Sequence, residues 1–265
     1  MAQVTVRVRR STGEADLKPR FETHQVEVAE KASILDAVFA LQRGPCPDLA
    51  FRFSCRVGMC GSCALLVNGR ERLACSTTIA PLGPTVRLEP LRNLPVIRDL
   101  VVDLAPLFES YQRVLPHFNP HEPTAADFAV LPEDSATRQN MDHQPQCIDC
   151  GACYSSCSLV TLHPNYLGPM ALHRALQLIA DPRDAAHAER LAIVAGESGA
   201  FRCHTLGNCR DVCPRGISPA HSIERLKRTA TRSTLTALVS RLTQSSMDHS
   251  LSRAAGEGGG GRAHE

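Results

Sequence analysis

Residues 3–10 alternate Val4, Val6 and Val8 with polar neighbours, a period of two that predicts a half-buried strand. Residues 21–28 (Phe-Glu-Thr-His-Gln-Val-Glu-Val) read as its partner, and Ser11-Thr12-Gly13-Glu14 supplies turn chemistry between them. From Ser33 to Gln42 the period changes. Ile34, Ala37, Val38 and Leu41 recur at helical spacing. A short strand over 64–68, a hairpin turn at Asn68-Gly69, a return over 71–75 ending on Cys75, and a last strand from Thr85 to Leu88 complete this half.

After about residue 105 the pattern changes. Residues 115–146 carry Pro116, Pro120, Pro123, Pro132 and Pro145 and read as a long extended crossing. Helical stripes then dominate: Leu172, Leu176 and Ile179, stopped by Asp181-Pro182, then Ala188, Leu191, Ala192 and Ala195. Ser218-Pro219 is a helix start with proline at the first helical position. Leu235, Leu238, Val239 and Leu242 mark a last helix. All these stripes read as core. From Gly256 to Gly261 five of six residues are glycine, which predicts a disordered tail. The expected organisation is a module over 1–105, a helical module over 106–245 and a tail over 246–265, in line with a 265-residue chain at roughly 150 residues per domain.

Composition narrows the function. A formal net charge of +2 and 4% aromatic residues, with no tryptophan, argue against nucleic-acid binding. All but three of the 29 basic residues are arginine (Lys18, Lys31 and Lys227 are the exceptions), but they are scattered rather than clustered. No run of about 18 apolar residues predicts a membrane span. The N-terminus reads as a strand rather than an apolar signal region, so secretion is not expected. Twelve cysteines in such a chain point to metal rather than disulfides.

The cysteines fall into three groups. Cys55, Cys60, Cys63 and Cys75 have the C-x4-C-x2-C spacing, plus a distant fourth cysteine, of plant-type [2Fe–2S] centres. Two irons and two sulfides need four thiolates converging from one tight loop and one returning segment. Gly58 and Gly61 tolerate positive φ there and let backbone N–H groups reach the sulfurs. Such contacts, with Arg56, would raise the centre's potential. Zinc is the competing occupant, although it prefers C-x2-C pairs further apart. Together with the strands and single helix, this loop describes a β-grasp-like ferredoxin module.

Cys147, Cys150, Cys153 and Cys157 form the C-x2-C-x2-C-x3-C run of bacterial ferredoxins. Cys203, Cys209 and Cys213, followed by Pro214, match the same run with Leu206 in place of one cysteine. In two-cluster ferredoxins the last cysteine of each run serves the other cluster. That crossover gives Cys147, Cys150, Cys153 and Cys213 to a [4Fe–4S] cluster. It leaves Cys157, Cys203 and Cys209 for a centre with one corner unliganded, where a [3Fe–4S] cluster is expected. A [4Fe–4S] cluster completed by water or an exogenous ligand is the alternative. Cys46, in Gly44-Pro45-Cys46-Pro47, is left over, and a structural or partly exposed free thiol is expected in preference to a redox role.

The chain resembles the iron–sulfur subunit of succinate dehydrogenase and fumarate reductase. The resemblance rests on the segments Phe51 to Cys63, Pro95 to Asp103, Cys147 to Cys153 and Cys203 to Ile217, and runs from residue 3 to roughly residue 230. It implies an α+β fold, a β-grasp plant-type ferredoxin domain followed by an α-helical bacterial-ferredoxin-like domain. It also implies a FAD-containing flavoprotein partner that interconverts succinate and fumarate. Electrons would pass through the [2Fe–2S], [4Fe–4S] and [3Fe–4S] clusters to a quinone or haem b in a membrane-anchor subunit, with this chain holding no catalytic residue. The implied location is peripheral, on the cytoplasmic face of the inner membrane, within the respiratory chain. Related wiring could serve another flavoprotein, such as a thiol-driven fumarate reductase or a glycolate-oxidising complex. An iron–sulfur redox sensor or a stand-alone carrier ferredoxin is the third possibility.

The chain departs from better-known quinone-reducing members near the third centre. Ser158 follows Cys157 where those members have proline, and Leu162 takes the approximate place of a tryptophan. His204 is kept, and two roles are open to it: lining a quinone site, or hydrogen bonding near the sulfurs of the third centre.

Overall fold

The computed structural model describes residues 2–13, 20–121, 130–141 and 146–256. Strand β1 (Ala2–Arg10) pairs antiparallel with β2 (Arg20–Val28), with Val4 opposite Val26 and Val6 opposite His24. It runs parallel to β5 (Thr85–Glu89) on its other side. Strands β3 (Ala64–Val67) and β4 (Arg70–Leu73) form a hairpin through Asn68-Gly69, and β3 joins β5, giving the order β2-β1-β5-β3-β4. A central parallel pair flanked by two hairpins is the expected β-grasp arrangement.

Helix α1 (Ile34–Arg43) starts where its sequence says it should. The Asp36 N–H donates to Ser33 Oγ and the Ser33 N–H donates back to the Asp36 carboxylate, so two orphan donors are satisfied reciprocally. Its buried face, Ile34, Leu35, Ala37, Val38 and Leu41, packs with Val4, Val6, Val8, Val86 and Leu88. Each of the Ile, Leu and Val side chains contributes roughly 1.5–3 kcal/mol on burial. A one-residue slip of β1 would turn all three valines outward, which fixes its register.

A short ribbon of β6 (Val96–Arg98) and β7 (Val101–Val102) leads into α2 (Ala105–Gln112). Helices α3 (Ala136–Met141), α4 (Ala152–Ser155), α5 (Ser158–Leu162), α6 (Gly168–Ile179), α7 (His187–Ala195), α8 (Asn208–Asp211) and α9 (Pro219–Gly256) follow.

Several expectations need correction. Cys75 is not carried on a returning strand. β4 stops at Leu73, and a single 3-10 turn, Ala74–Ser76, presents the cysteine. The crossing over 115–146 holds α3 and pairs Pro120 with Asp184, while Pro123 and Pro145 lie outside the described residues. On α7 the buried face is Arg190, Leu191 and Val194; Ala188, Ala192 and Ala195 are exposed. Alanines are small enough to sit on either face, so their spacing carries little information. The two helices expected after Ser218 are one, and the tail expected from 246 is helical as far as Gly256, the first glycine of the run. The rest of that tail lies outside the described residues. Leu235, Leu238, Val239 and Leu242 were expected in a core and are each more than half exposed.

The chain divides into two compact units, Met1–Leu226 and Lys227–Glu265. The first spans the module boundary expected at residue 105, because polar and close-packed contacts cross it. Ser155 Oγ donates to the buried Glu71 carboxylate at 2.8 Å and accepts the Arg92 N–H at 2.8 Å. In the second unit the described residues continue the helix to Gly256.

Candidate metal centres

The loop from Phe51 to Cys63 has no regular structure and curls around its own sulfurs. The N–H groups of Val57, Met59 and Cys60 point at Cys55 Sγ at 3.5, 3.3 and 3.3 Å. The Gly58 N–H points at Cys75 Sγ at 3.2 Å, and Cys63 Sγ lies 3.4 Å from Cys75 Sγ. Gly58 and Gly61 both have φ of +73°, in the left-handed region that glycine adopts without strain. The loop therefore brings Cys55, Cys60, Cys63 and Cys75 together, with amide dipoles directed at the sulfurs. The Arg56 guanidinium lies over the rings of Phe39 and Phe53, each 5.4 Å away.

The other cysteines line two separate cavities. One is walled by Cys147, Cys150, Cys153 and Cys213, with Ile148, Met170 and Ile217 around them. The second is walled by Cys157, Cys203 and Cys209, with Leu159, Tyr166, Leu206 and Ile223. Cys213 has left its own run to join the first cavity, and Cys157 has left its own to join the second. Leu206 stands on the wall of the cavity that has only three sulfurs.

Asn93 is a residue the sequence did not single out. Its Nδ2 donates to the carbonyls of Tyr154, Ser155 and Cys157 at 3.1, 3.1 and 2.9 Å, fixing the end of α4 and the entry to the second cavity. Thr161 in turn donates to its Oδ1. Nothing in the run of residues around Asn93 announces this, since all its partners lie more than sixty positions away. Asn208 Nδ2 donates to the Ser156 carbonyl and ties the two cysteine runs together.

Burial and hydrogen bonding set how readily these thiols ionise. Burial pushes the Cys147 thiol up to about 12 and those of Cys150 and Cys209 to about 11. Burial raises Cys153 well above its usual value, with the charges of Cys150, Cys147, Cys209 and Cys213 adding to the effect. Burial holds Cys63 up at about 11, whereas hydrogen bonding from Ser62 and the Cys55 backbone brings Cys60 down to about 6. Several thiolates in one dry pocket repel one another and resist ionisation. Metal cations reverse that preference and deprotonate coordinating thiols. The donor sets, all sulfur and grouped as four, four and three, suit iron–sulfur clusters.

Of the residues expected near a quinone, Ser158 is exposed at the start of α5 and borders the three-sulfur cavity. Leu162 is 68% exposed and His204 is also exposed, so neither is closed into a pocket within this chain.

The three sulfur clusters follow one another through the first unit. Gly61, beside Cys60, abuts Cys150, and Cys153 feels the charge of Cys209 in the next cavity. Sulfur-walled sites in such a row serve the passage of single electrons, which puts the chain among iron–sulfur electron carriers. Residues 5–109 match the family model of a 2Fe-2S iron-sulfur cluster binding domain, and residues 144–217 match that of a 4Fe-4S dicluster domain. The chain is 35% identical over 234 residues to the fumarate reductase iron-sulfur subunit of Haemophilus influenzae, covering 84% of this chain and 91% of that protein. It is 35% identical over 213 residues to the mitochondrial succinate dehydrogenase [ubiquinone] iron-sulfur subunit 1 of Oryza sativa subsp. japonica, covering 80% and 76%. A chain of the Mycobacterium smegmatis Sdh1 complex in the apo form superposes with a TM-score of 0.79 at 30% identity, over 87% of this chain and 96% of that one. The chain belongs to the family of succinate dehydrogenase and fumarate reductase iron–sulfur subunits.

Proposed function

We propose that this subunit conducts electrons between a FAD-containing flavoprotein and a quinone held by a membrane-anchor subunit, with or without haem b. The reading rests on the partition of sulfurs between two cavities, four in one and three in the other, with Leu206 at the incomplete one. In this assignment Cys55, Cys60, Cys63 and Cys75 hold a [2Fe–2S] cluster. Cys147, Cys150, Cys153 and Cys213 hold a [4Fe–4S] cluster, and Cys157, Cys203 and Cys209 a [3Fe–4S] cluster. Clusters of these kinds accept and release one electron at a time.

The chain's own residues do the rest. The N–H groups of Val57, Gly58, Met59 and Cys60 hydrogen-bond sulfurs and favour their more negative state, which sets the relative potentials. Ile148, Met170 and Ile217 exclude water from the second site, and Leu159, Tyr166 and Ile223 from the third. Leu206 offers no donor to an iron and keeps a fourth ligand out. Among the described residues no helix is long and apolar enough to cross a membrane. In the proposed complex the subunit is peripheral, against its membrane partner on the cytoplasmic face. The division into a module over 1–105 and a helical module over 106–245 belongs to the same reading, the first for the [2Fe–2S] cluster and the second for the other two.

Purification of the intact complex tests this. About nine irons per subunit are expected. An oxidised three-iron paramagnetic signal should be present as isolated, and mild reduction should replace it with a [2Fe–2S] signal. Zinc in place of iron, or a second complete cubane, would overturn the assignment. A co-purified flavoprotein that oxidises glycolate or reduces fumarate with thiols, rather than exchanging electrons between succinate and quinone, would reassign the partner while leaving the wiring in place.

A further inference from the structure

Cys46 is the cysteine that the three groups leave over, and its surroundings are specific. It is 2% exposed in the turn after α1, which is the segment leading to Cys55. Its sulfur faces β2. His24 Nε2 lies 3.1 Å from Sγ and Glu22 Oε2 lies 3.7 Å from it. His24 Nε2 and Glu22 Oε2 are 3.5 Å apart. Glu22 and His24 are two positions apart on one strand, so both project from the face that carries Val26 and Val28 into the core.

We propose that Glu22, His24 and Cys46 bind one divalent cation of the zinc class, separate from the cluster sites. A thiolate, an imidazole and a carboxylate are each established zinc donors. Ligand distances of about 2.3 Å to sulfur and about 2.0–2.2 Å to nitrogen and oxygen put tetrahedral ligand atoms roughly 3.3–3.6 Å apart. The three observed separations of 3.1, 3.7 and 3.5 Å straddle that range, so three corners are already in place. Without a metal, the same three atoms can form a chain in which a His24 Nε2–H donates to Cys46 Sγ and the Cys46 thiol donates to Glu22 Oε2, and a cation would displace both protons.

The Arg10 guanidinium is the group that would oppose a cation, being 3.5 Å from Glu22 Oε2. Its charge is answered by Asp48 at 2.5 Å and by the buried Asp99 at 3.2 Å. Arg20 engages Glu22 through the other oxygen, Oε1. The oxygen turned to the sulfur and imidazole is free of Arg20 and would exchange its 3.5 Å contact with Arg10 for the metal. Glu22 and His24 side chains are 30% and 23% exposed, so an ion enters from the β2 side and water completes the fourth position there. A bound ion would fasten the segment leading to Cys55 onto the outer strand of the sheet.

The test uses the complex with its clusters loaded, stripped with a chelator, given zinc and dialysed. About one zinc per subunit beyond buffer is expected in the unaltered protein by elemental analysis. Cys46→Ser and His24→Gln should each weaken zinc retention by more than the roughly 10–100-fold that loss of an outer-shell partner costs, with iron content and all three cluster signals unchanged. Zinc should also raise the melting temperature of the unaltered protein and not that of either variant. No zinc above buffer in the unaltered protein overturns the proposal. Zinc retained equally by both variants also overturns it, because the metal would then sit among the cluster cysteines.

Discussion

A Cβ built on Gly61 would lie 2.8 Å from Cys150 Cβ and 2.8 Å from the Ile148 carbonyl oxygen, and both neighbours belong to the second cysteine run. The backbone there also has φ of +73°. Glycine thus serves two needs at one position, a turn that keeps N–H groups on the sulfurs and an approach close enough to join two cysteine loops. Gly61→Ala is expected to cost about 1–3 kcal/mol through crowding, read as a lower melting temperature of the cluster-loaded protein. An unchanged melting temperature would mean that the loops part freely. Leu206 makes the opposite case, a side chain whose chemistry decides by what it lacks. Leu206→Cys should supply a fourth thiolate to the cavity of Cys157, Cys203 and Cys209 and convert the three-iron paramagnetic signal toward that of a [4Fe–4S] centre. If the three-iron signal survives intact, the cysteine runs have been matched wrongly.

Helix α7 shows how a single side chain fastens an element whose apolar face is thin. Arg190 is fully buried and pairs with the buried Asp184 at 2.7 Å. It also donates to the carbonyls of Val114, Leu115 and His117, closing the backbone after α2. Asp184 in turn accepts from the N–H groups of Asn119 and Ala186. Removing one partner from such a pair leaves a buried charge uncompensated, so Asp184→Ala should destabilise by about 3–5 kcal/mol, measured by denaturant unfolding. Burial alone would raise the Asp184 carboxyl, but the Arg190 hydrogen bond and the two N–H groups outweigh it and hold the carboxyl below its usual value. A depressed folded value means that this stabilisation is complete above the ordinary aspartate range, near pH 4, and fades as acid takes the pH down through the folded value. The acid limb of a stability–pH profile should therefore flatten in the Asp184→Ala variant. An acid limb of unchanged steepness would assign the sensitivity to other carboxylates.

The exchange of terminal cysteines between the two runs is a property of the first compact unit as a body. It makes the second and third centres depend on each other's segments, with Asn208 bridging to Ser156 and Asn93 closing the turn at Cys157. Under the proposed assignment, Cys213→Ser should damage the [4Fe–4S] signal, although its sequence neighbours are assigned to the three-iron centre. Cys157→Ser should damage the three-iron signal, although its neighbours serve the other. Paramagnetic spectra of the two purified variants decide this, and damage confined to each residue's own run would refute the crossover. The same interdependence accounts for the single compact unit that spans residue 105. The Glu71–Ser155 and Arg92–Ser155 hydrogen bonds and the Gly61–Cys150 contact make the β-grasp sheet part of the second centre's support.

The strands, α1 and the grouping of the cysteines were legible in the chain because each depends on neighbours within a few positions: alternation, helical spacing, short cysteine repeats. Leu206 was legible as the gap in the second run for the same reason, since a repeat shows its own interruption, and it lines the three-sulfur cavity. The 3-10 turn that carries Cys75, the buried face of α7, the roles of Asn93 and Arg190, and the meeting of Cys46 with Glu22 and His24 were not legible. Each depends on partners brought near by folding, and alanine spacing or a lone polar residue gives no sign of them. The unbroken helix to Gly256 shows a further limit. An apolar stripe such as Leu235, Leu238, Val239 and Leu242 reports a shared face, but whether this chain covers that face is a matter of packing, and here it stays exposed.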